Sequence, residues 1–153
     1  EAKCAACLKL GADVAVDYSK QNFTEAVKEA TGGKGVDVIL DMVGGDYVDR
    51  NIRSLADDGR MVNIAYQKGS KVEVDMLRVM LKRLTITGST LRIRPTPVKG
   101  AIARGLEANV LPMLADGRLK IVMDSTYPLR DAASAHARMD GGQHIGKIVL
   151  TVG

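Results

Sequence analysis

The sequence predicts an α/β fold built on a mostly parallel sheet. Two observations carry this. Short apolar runs of strand length alternate with helical stretches of roughly 8 to 15 residues. One of these runs, Val36 to Val43, reads Val-Asp-Val-Ile-Leu-Asp-Met-Val, the nearly continuous apolar pattern of a strand covered on both faces. With 153 residues, the chain is long enough to build a core of its own.

In chain order, residues 2 to 10 are helix-like and stop at Gly11, a residue suited to the left-handed position after a helix. Val14-Ala15-Val16 reads as a short strand ending at Asp17-Tyr18. Asn22 caps the next helix, and Glu25 stands where a capping box needs it. Phe23, Val27 and Ala30 mark that helix's inner stripe, and Gly32-Gly33 ends it. After the Val36 strand, Gly44-Gly45 turns the chain into a helix over Tyr47 to Leu55, closed by Gly59. Met61 to Tyr66 is a second buried strand, and Met76 to Arg83 is helical. Leu84 to Leu91 is β-branched and alternating, as in a half-exposed edge strand. Pro95-Thr96-Pro97 is a hinge candidate. It leads into a long helix from about Val98 to Leu114, with Ile102, Leu106, Val110 and Leu114 one turn apart. Ile121 to Met123 and Lys147 to Val152 read as strands, with a helix over Asp131 to Met139 between them.

Composition narrows the function. Hydrophobic residues make up 46% and charged ones 26%, ordinary globular usage. No apolar run approaches the ~20 residues that span a bilayer. The opening Glu1-Ala2-Lys3 has neither a Met nor an apolar signal core, so a cytoplasmic protein whose upstream part lies elsewhere is expected. The net charge of +4 comes from basic residues interspersed with acids, and one Phe with four Tyr gives no platform for stacking bases. Neither nucleic acid nor a membrane is expected as a partner.

Ligands of open parallel sheets sit at the carboxyl ends of the strands. Here those ends are Asp17-Tyr18-Ser19, Asp41 to Asp46, Ile64 to Ser70 and Gly88 to Arg92. Their glycines serve either close approach to a ligand or tight strand-to-helix turns, and the sequence leaves both open. No G-x-G-x-x-G is present. Gly141 to Lys147 imitates a phosphate loop, but Ile148 and a strand follow where Ser or Thr and a helix are needed. Cys4 and Cys7 form a C-x-x-C inside a helical pattern. A structural zinc would need a second ligand pair, and only His136 and His144 remain, far along the chain, so two buried thiols are expected. There is no nucleophile elbow. His136 reads as a surface or packing residue, whereas His144, among Gly141, Gly142 and Gly146, is the better candidate for a polar contact. The sequence offers no catalytic residue and no metal ligand set of its own.

A family resemblance rests on segments that occur in order. They are Lys3-Cys4, Leu10-Gly11-Ala12-Asp13, Val16-Asp17-Tyr18, Thr31 to Asp37, Asp41-Met42-Val43-Gly44-Gly45, Asp58-Gly59-Arg60, Ile86 to Arg92, Tyr127-Pro128-Leu129, Ala135-His136 and His144 to Leu150. Together they resemble quinone oxidoreductases of the zeta-crystallin type, in the medium-chain dehydrogenase/reductase superfamily. The resemblance implies a partial Rossmann-type sheet lacking its first two strands (residues 1–119). It also implies a C-terminal segment (120–153) that in the family returns to a GroES-like domain.

The resemblance further implies NADPH as cofactor and a quinone-like acceptor. Lys3 and Tyr18 match positions flanking the adenosine 2′-phosphate, where a cation and a phenol can bind a dianion, although Lys3 also reads as a solvated terminal lysine. Ile64, Ala65 and Tyr66 match a stretch along the ribose, and Gly88, Ser89, Thr90 and Leu91 one along the nicotinamide. His144 matches a position near the nicotinamide end. An enoyl-thioester reductase would look similar over this stretch. A zinc-dependent alcohol dehydrogenase stays open because its ligands would lie mainly outside the chain. In the family the Leu84–Leu91 edge pairs across a two-fold, which implies a homodimer, with a non-catalytic dimerising fragment as the alternative. The family's sheet order, 3-2-1-4-5-6, leaves the Val36 strand without a parallel neighbour on one side. A rearranged contact, a strand from another chain or a displaced start is therefore expected.

Overall fold

The computed structural model describes residues 1–153 and divides into two compact units, Glu1–Arg94 and Pro95–Gly153. The division falls at the Pro95-Thr96-Pro97 stretch.

The first unit contains α1 (Ala2–Lys9), α2 (Phe23–Ala30), β1 (Val36–Asp41), α3 (Tyr47–Ser54), β2 (Leu55–Asn63), α4 (Met76–Leu81) and β3 (Thr85–Gly88). The three strands form one sheet in the order β1-β2-β3, and both pairings are parallel. Helices α3 and α4 are the crossovers that parallel pairing requires. Val48 and Ile52, one turn apart on α3, pack with Leu55 and Met61 of β2. Val36, Ile39, Val74, Val79 and Leu84 lie against this cluster. Ile52, Leu55 and Met61 are wholly buried, each contributing about 1.5–3 kcal/mol by leaving water.

Helix α2 docks on α3 through its first turn. The Phe23 and Tyr47 rings stack at 5.3 Å, and the Arg50 guanidinium lies 4.4 Å from the Phe23 ring centroid. Asn22 caps α2 by accepting the Thr24 amide at 3.2 Å and also takes a bond from Arg50 Nη2 at 3.3 Å. The cap therefore works through Thr24; the reciprocal Glu25 contact of a capping box does not form.

Several sequence expectations are corrected. Val14-Ala15-Val16 is not a strand. A strand exists only where a neighbour satisfies its backbone, and the sheet ends at β1. Nor is β1 covered on both faces: Val38 and Leu40 are 63% and 62% exposed while Ile39 and Asp41 face the core. The missing neighbour beside β1 agrees with the expected sheet order. The left-handed residue after α3 is Asp58 (φ 60°), not Gly59. Asp58 is held there by a fork of two 2.8 Å bonds from Arg83, itself left-handed at φ 53°. β2 begins at Leu55 and ends at Asn63, so Ile64 to Tyr66 belong to the following loop. The thiols are not both buried: Cys7 is exposed and Cys4 only half-buried.

The second unit contains α5 (Thr96–Asn109), α6 (Leu111–Ala115), β4 (Met123–Pro128), a 3-10 turn at Leu129–Asp131, α7 (Ala132–Asp140) and β5 (Lys147–Thr151). The expected single helix to Leu114 is broken at Val110. Pro112 lacks an amide hydrogen and its ring would strike the carbonyl of Ala108. The strand expected at Ile121 to Met123 instead starts at Met123. It pairs in parallel with β5, and α7 is the crossover between them. No helix of the chain is long and apolar enough to cross a membrane.

Two substitutions separate the covered and uncovered faces of the first unit. Ile52→Ala is expected to cost about 2–5 kcal/mol. Val38→Thr should change stability by less than about 0.5 kcal/mol. Urea unfolding followed by circular dichroism measures both.

Candidate functional site at the carboxyl edge of the sheet

Parallel pairing places Asp41, Asn63 and Gly88 in register across β1, β2 and β3, so their following loops leave from one edge. Asp41 is only 3% exposed, and it organises the first turn. Its Oδ1 accepts the Val43 amide at 2.9 Å and its Oδ2 accepts the Gly44 amide at 3.1 Å. Asn63 donates from Nδ2 to the Thr87 carbonyl at 3.4 Å, and its own carbonyl accepts the Ser89 amide at 3.0 Å. Its Oδ1 is buried without a donor.

The loops after β1 and β2 are joined by main-chain bonds. The amides of Ile64, Gln67 and Lys68 donate to the carbonyls of Asp41, Met42 and Val43 at 2.8, 3.2 and 2.7 Å. In return, the Gly45 amide donates to the Gly69 carbonyl at 2.9 Å. This decides the role of the two glycines. A Cβ on Gly44 would meet Gly69 O and Tyr66 at 2.8 Å, and one on Gly45 would meet Lys68 at 2.9 Å. Both positions also have positive φ. The glycines let one loop close on the other; they do not open a path to a ligand.

The outer rim of this edge carries Ile64, Ala65, Tyr66, Ser89, Thr90 and Leu91. The amides of Ala65, Tyr66, Thr90 and Leu91 have no protein acceptor, and Ile64, Tyr66 and Leu91 are exposed. Nearby, Lys68 and Arg50 both approach Asp46 at 3.6 Å.

The Asp17 turn closes on itself, with Asp17 Oδ1 accepting from Ser19 N at 3.1 Å and Ser19 Oγ at 2.6 Å. These two bonds hold the Asp17 carboxyl below its usual range, and burial opposes them. The amino group of Glu1 lies 3.6 Å from Asp17 Oδ2. Tyr18 is 76% exposed. The following Asn22 and Phe23 contact Arg50 and Tyr47 at the start of α3.

His144 belongs to the second unit, in the turn before β5, with Nδ1 buried and unpartnered. That turn is fixed by Asp124. Arg138 grips the Asp124 carboxylate with two bonds at 3.0 and 2.9 Å, the Ile145 amide donates to it at 2.9 Å and Ser125 Oγ at 2.8 Å. The Arg138 bonds, then the Ile145 amide, hold the Asp124 carboxyl far below the carboxylate range, with burial opposing them.

A model of the family described as zinc-binding dehydrogenases matches residues 10–150. The chain belongs to this family, within the medium-chain dehydrogenase/reductase superfamily. It is 37% identical to a 2-haloacrylate reductase of a Burkholderia species over 98% of its own length and 45% of that protein's. A crystal structure of Escherichia coli quinone oxidoreductase complexed with NADPH superposes with a TM-score of 0.80 at 28% identity, over 97% of this chain and 46% of that one. An NAD-dependent alcohol dehydrogenase superposes at 0.82 with 29% identity, over 99% of this chain and 41% of that one. The chain thus spans about half the length of the relatives it matches.

Despite the zinc in the family's name, no three His, Cys, Asp or Glu side chains converge to hold a metal ion. Sequence reasoning missed Asp41 and Asn63 as organisers of the sheet edge. The signal for Asp41 was a carboxylate closing an apolar strand just before Gly-Gly.

Asp124 gives the second unit a defined acid response. A carboxyl whose folded pKa is depressed stabilises the fold above its unfolded value, near 3.8, and loses that contribution as pH falls further. Asp124→Asn should therefore lower the melting temperature at pH 7, and the gap from wild type should narrow progressively below about pH 4. Melts followed by circular dichroism at matched pH values check this.

Proposed function

We propose that this chain forms the nicotinamide side of an NADPH-dependent reductase that delivers hydride to an activated double bond in a quinone-like acceptor. The observation that carries the reading is the coupled edge of β1, β2 and β3. Three strand ends in register send Ile64 to Tyr66 and Gly88 to Leu91 off one edge, where the amides of Ala65, Tyr66, Thr90 and Leu91 have no protein acceptor and Ile64, Tyr66 and Leu91 are exposed. Chemistry in such a site needs little from the protein, because the cofactor supplies the hydride and the fold supplies alignment. In this chain that edge would position the cofactor, while Lys3 and Tyr18 would hold the 2′-phosphate by charge-assisted bonds. Support comes from the NADPH complex of the E. coli quinone oxidoreductase, whose fold this chain shares. The protein is proposed to act in the cytoplasm as a homodimer joined through the open edge of β3.

A second acceptor class is favoured by the 37% identity to a 2-haloacrylate reductase. A haloacrylate is also an activated double bond but carries a carboxylate. Reduction of 1,4-benzoquinone compared with 2-chloroacrylate separates the two.

NADPH titration followed by fluorescence tests the cofactor reading, using both the 153-residue chain and the product of the longest reading frame that contains it. The chain alone should show no saturable binding, since it supplies no glycine loop for the pyrophosphate. The longer product should bind NADPH in preference to NADH, and Lys3→Ala should weaken NADPH about tenfold while leaving NADH unchanged. Equal binding of both nucleotides with Lys3 intact would refute the assignment.

A further inference from the structure

We propose that Asp41 is the positioning residue of the cofactor edge, acting through the Met42–Asp46 turn to set the conformation of Ile64–Tyr66. This rests on the nicotinamide-nucleotide reading above.

The argument begins with what Asp41 lacks. Its carboxylate is buried at the end of β1 and has no cationic partner. Both of its oxygens are committed to main-chain amides, those of Val43 and Gly44. A buried acceptor in this setting is costly unless every donor aimed at it is kept. The turn after β1 is thereby held in one shape, and that shape is what the second loop reads.

The loop after β2 has no secondary structure of its own between Asn63 and Met76, and its large side chains Ile64 and Tyr66 are 45% and 46% exposed. Burial therefore does little to fix it. Four main-chain bonds do so instead: Ile64 to Asp41, Gln67 to Met42, Lys68 to Val43 and Gly45 to Gly69. Every one of them ends on residues 41 to 45. The lack of room for a Cβ on Gly44 or Gly45 shows how closely the loops approach. Ala65 and Tyr66, whose amides have no protein acceptor, sit between the first and second of these anchors. Disturbing the Asp41 carboxylate therefore moves the donors offered to a ribose without touching the donors themselves.

Asp41→Asn is the informative change. It keeps the shape but offers one acceptor where two amides need one each, and it sets an NH2 group against an N–H. Hydrogen exchange by NMR should show the amides of Gln67 and Lys68 exchanging at least tenfold faster, with those of Met61 and Val62 in the β1–β2 pairing unchanged. In the product of the longest reading frame, the KM for NADPH should rise about tenfold, while the acceptor KM at saturating NADPH stays the same. Ile39→Ala, on the same strand but in the core, is the control: it should lower the melting temperature without changing the KM for NADPH. If Asp41→Asn does not fold, Gly45→Ala strikes the same loop contact from its other side and should give the same pattern.

Unchanged exchange at Gln67 and Lys68, or an equal rise in NADPH KM in Ile39→Ala, overturns the proposal. A wild-type protein that binds no nicotinamide nucleotide overturns the cofactor reading itself. In that case faster exchange in Asp41→Asn would still separate loop control from cofactor function.

Discussion

Parallel register is the constraint on which the first unit depends. Because β1, β2 and β3 run the same way and Asp41, Asn63 and Gly88 stand opposite one another, the loops that follow the three strands leave from one edge. Parallel strands cannot be joined by tight turns, so α3 and α4 must return along the sheet. Their return buries Ile52, Leu55 and Met61 and stiffens the platform beneath the loops. Core and site are two results of the same topology.

Polar groups then convert a row of strand ends into a defined rim. Asp41 shapes one turn, that turn templates the next loop, and Asn63 ties the third strand's exit through the Ser89 amide. In the second unit Asp124 has a comparable task, gathering Arg138, Ser125 and the Ile145 amide around the turn that bears His144. Both aspartates sit at strand positions and recruit backbone amides. Only Asp124 has a guanidinium partner, and the Arg138 bonds, followed by the Ile145 amide, hold its carboxyl far below the usual carboxylate range.

Membership of the zinc-binding dehydrogenase family rests on a match over residues 10–150, and the relatives that the chain resembles include a 2-haloacrylate reductase and a quinone oxidoreductase. The matched portion covers less than half of those proteins. That fits the exposed Val38 and Leu40, the open side of β1 and the unpaired Val14 segment. A nearly continuous apolar strand calls for cover on both faces, and β1 has it on only one, with Val38 and Leu40 exposed on the other.

The α/β class, the order of elements and the strand-end loops were legible in the sequence, because apolar periodicity and glycine punctuation are local signals. So was the edge position of β3, although the strand is Thr85–Gly88 rather than Leu84–Leu91 and is exposed throughout rather than alternating. Three things were decided only in the tertiary structure. Val14 to Val16 has strand composition but no neighbour, and strand formation depends on the partner as much as on the residue. The Gly44-Gly45 pair was equally compatible with approaching a ligand or a loop, and only the positions of Tyr66, Lys68 and Gly69 show that the loop occupies the space. Asp41 looked like one carboxylate among many, since nothing local says that both of its oxygens will be buried against amides. Periodicity identifies elements because it is written along the chain, whereas the occupant of a given space depends on residues far apart in sequence.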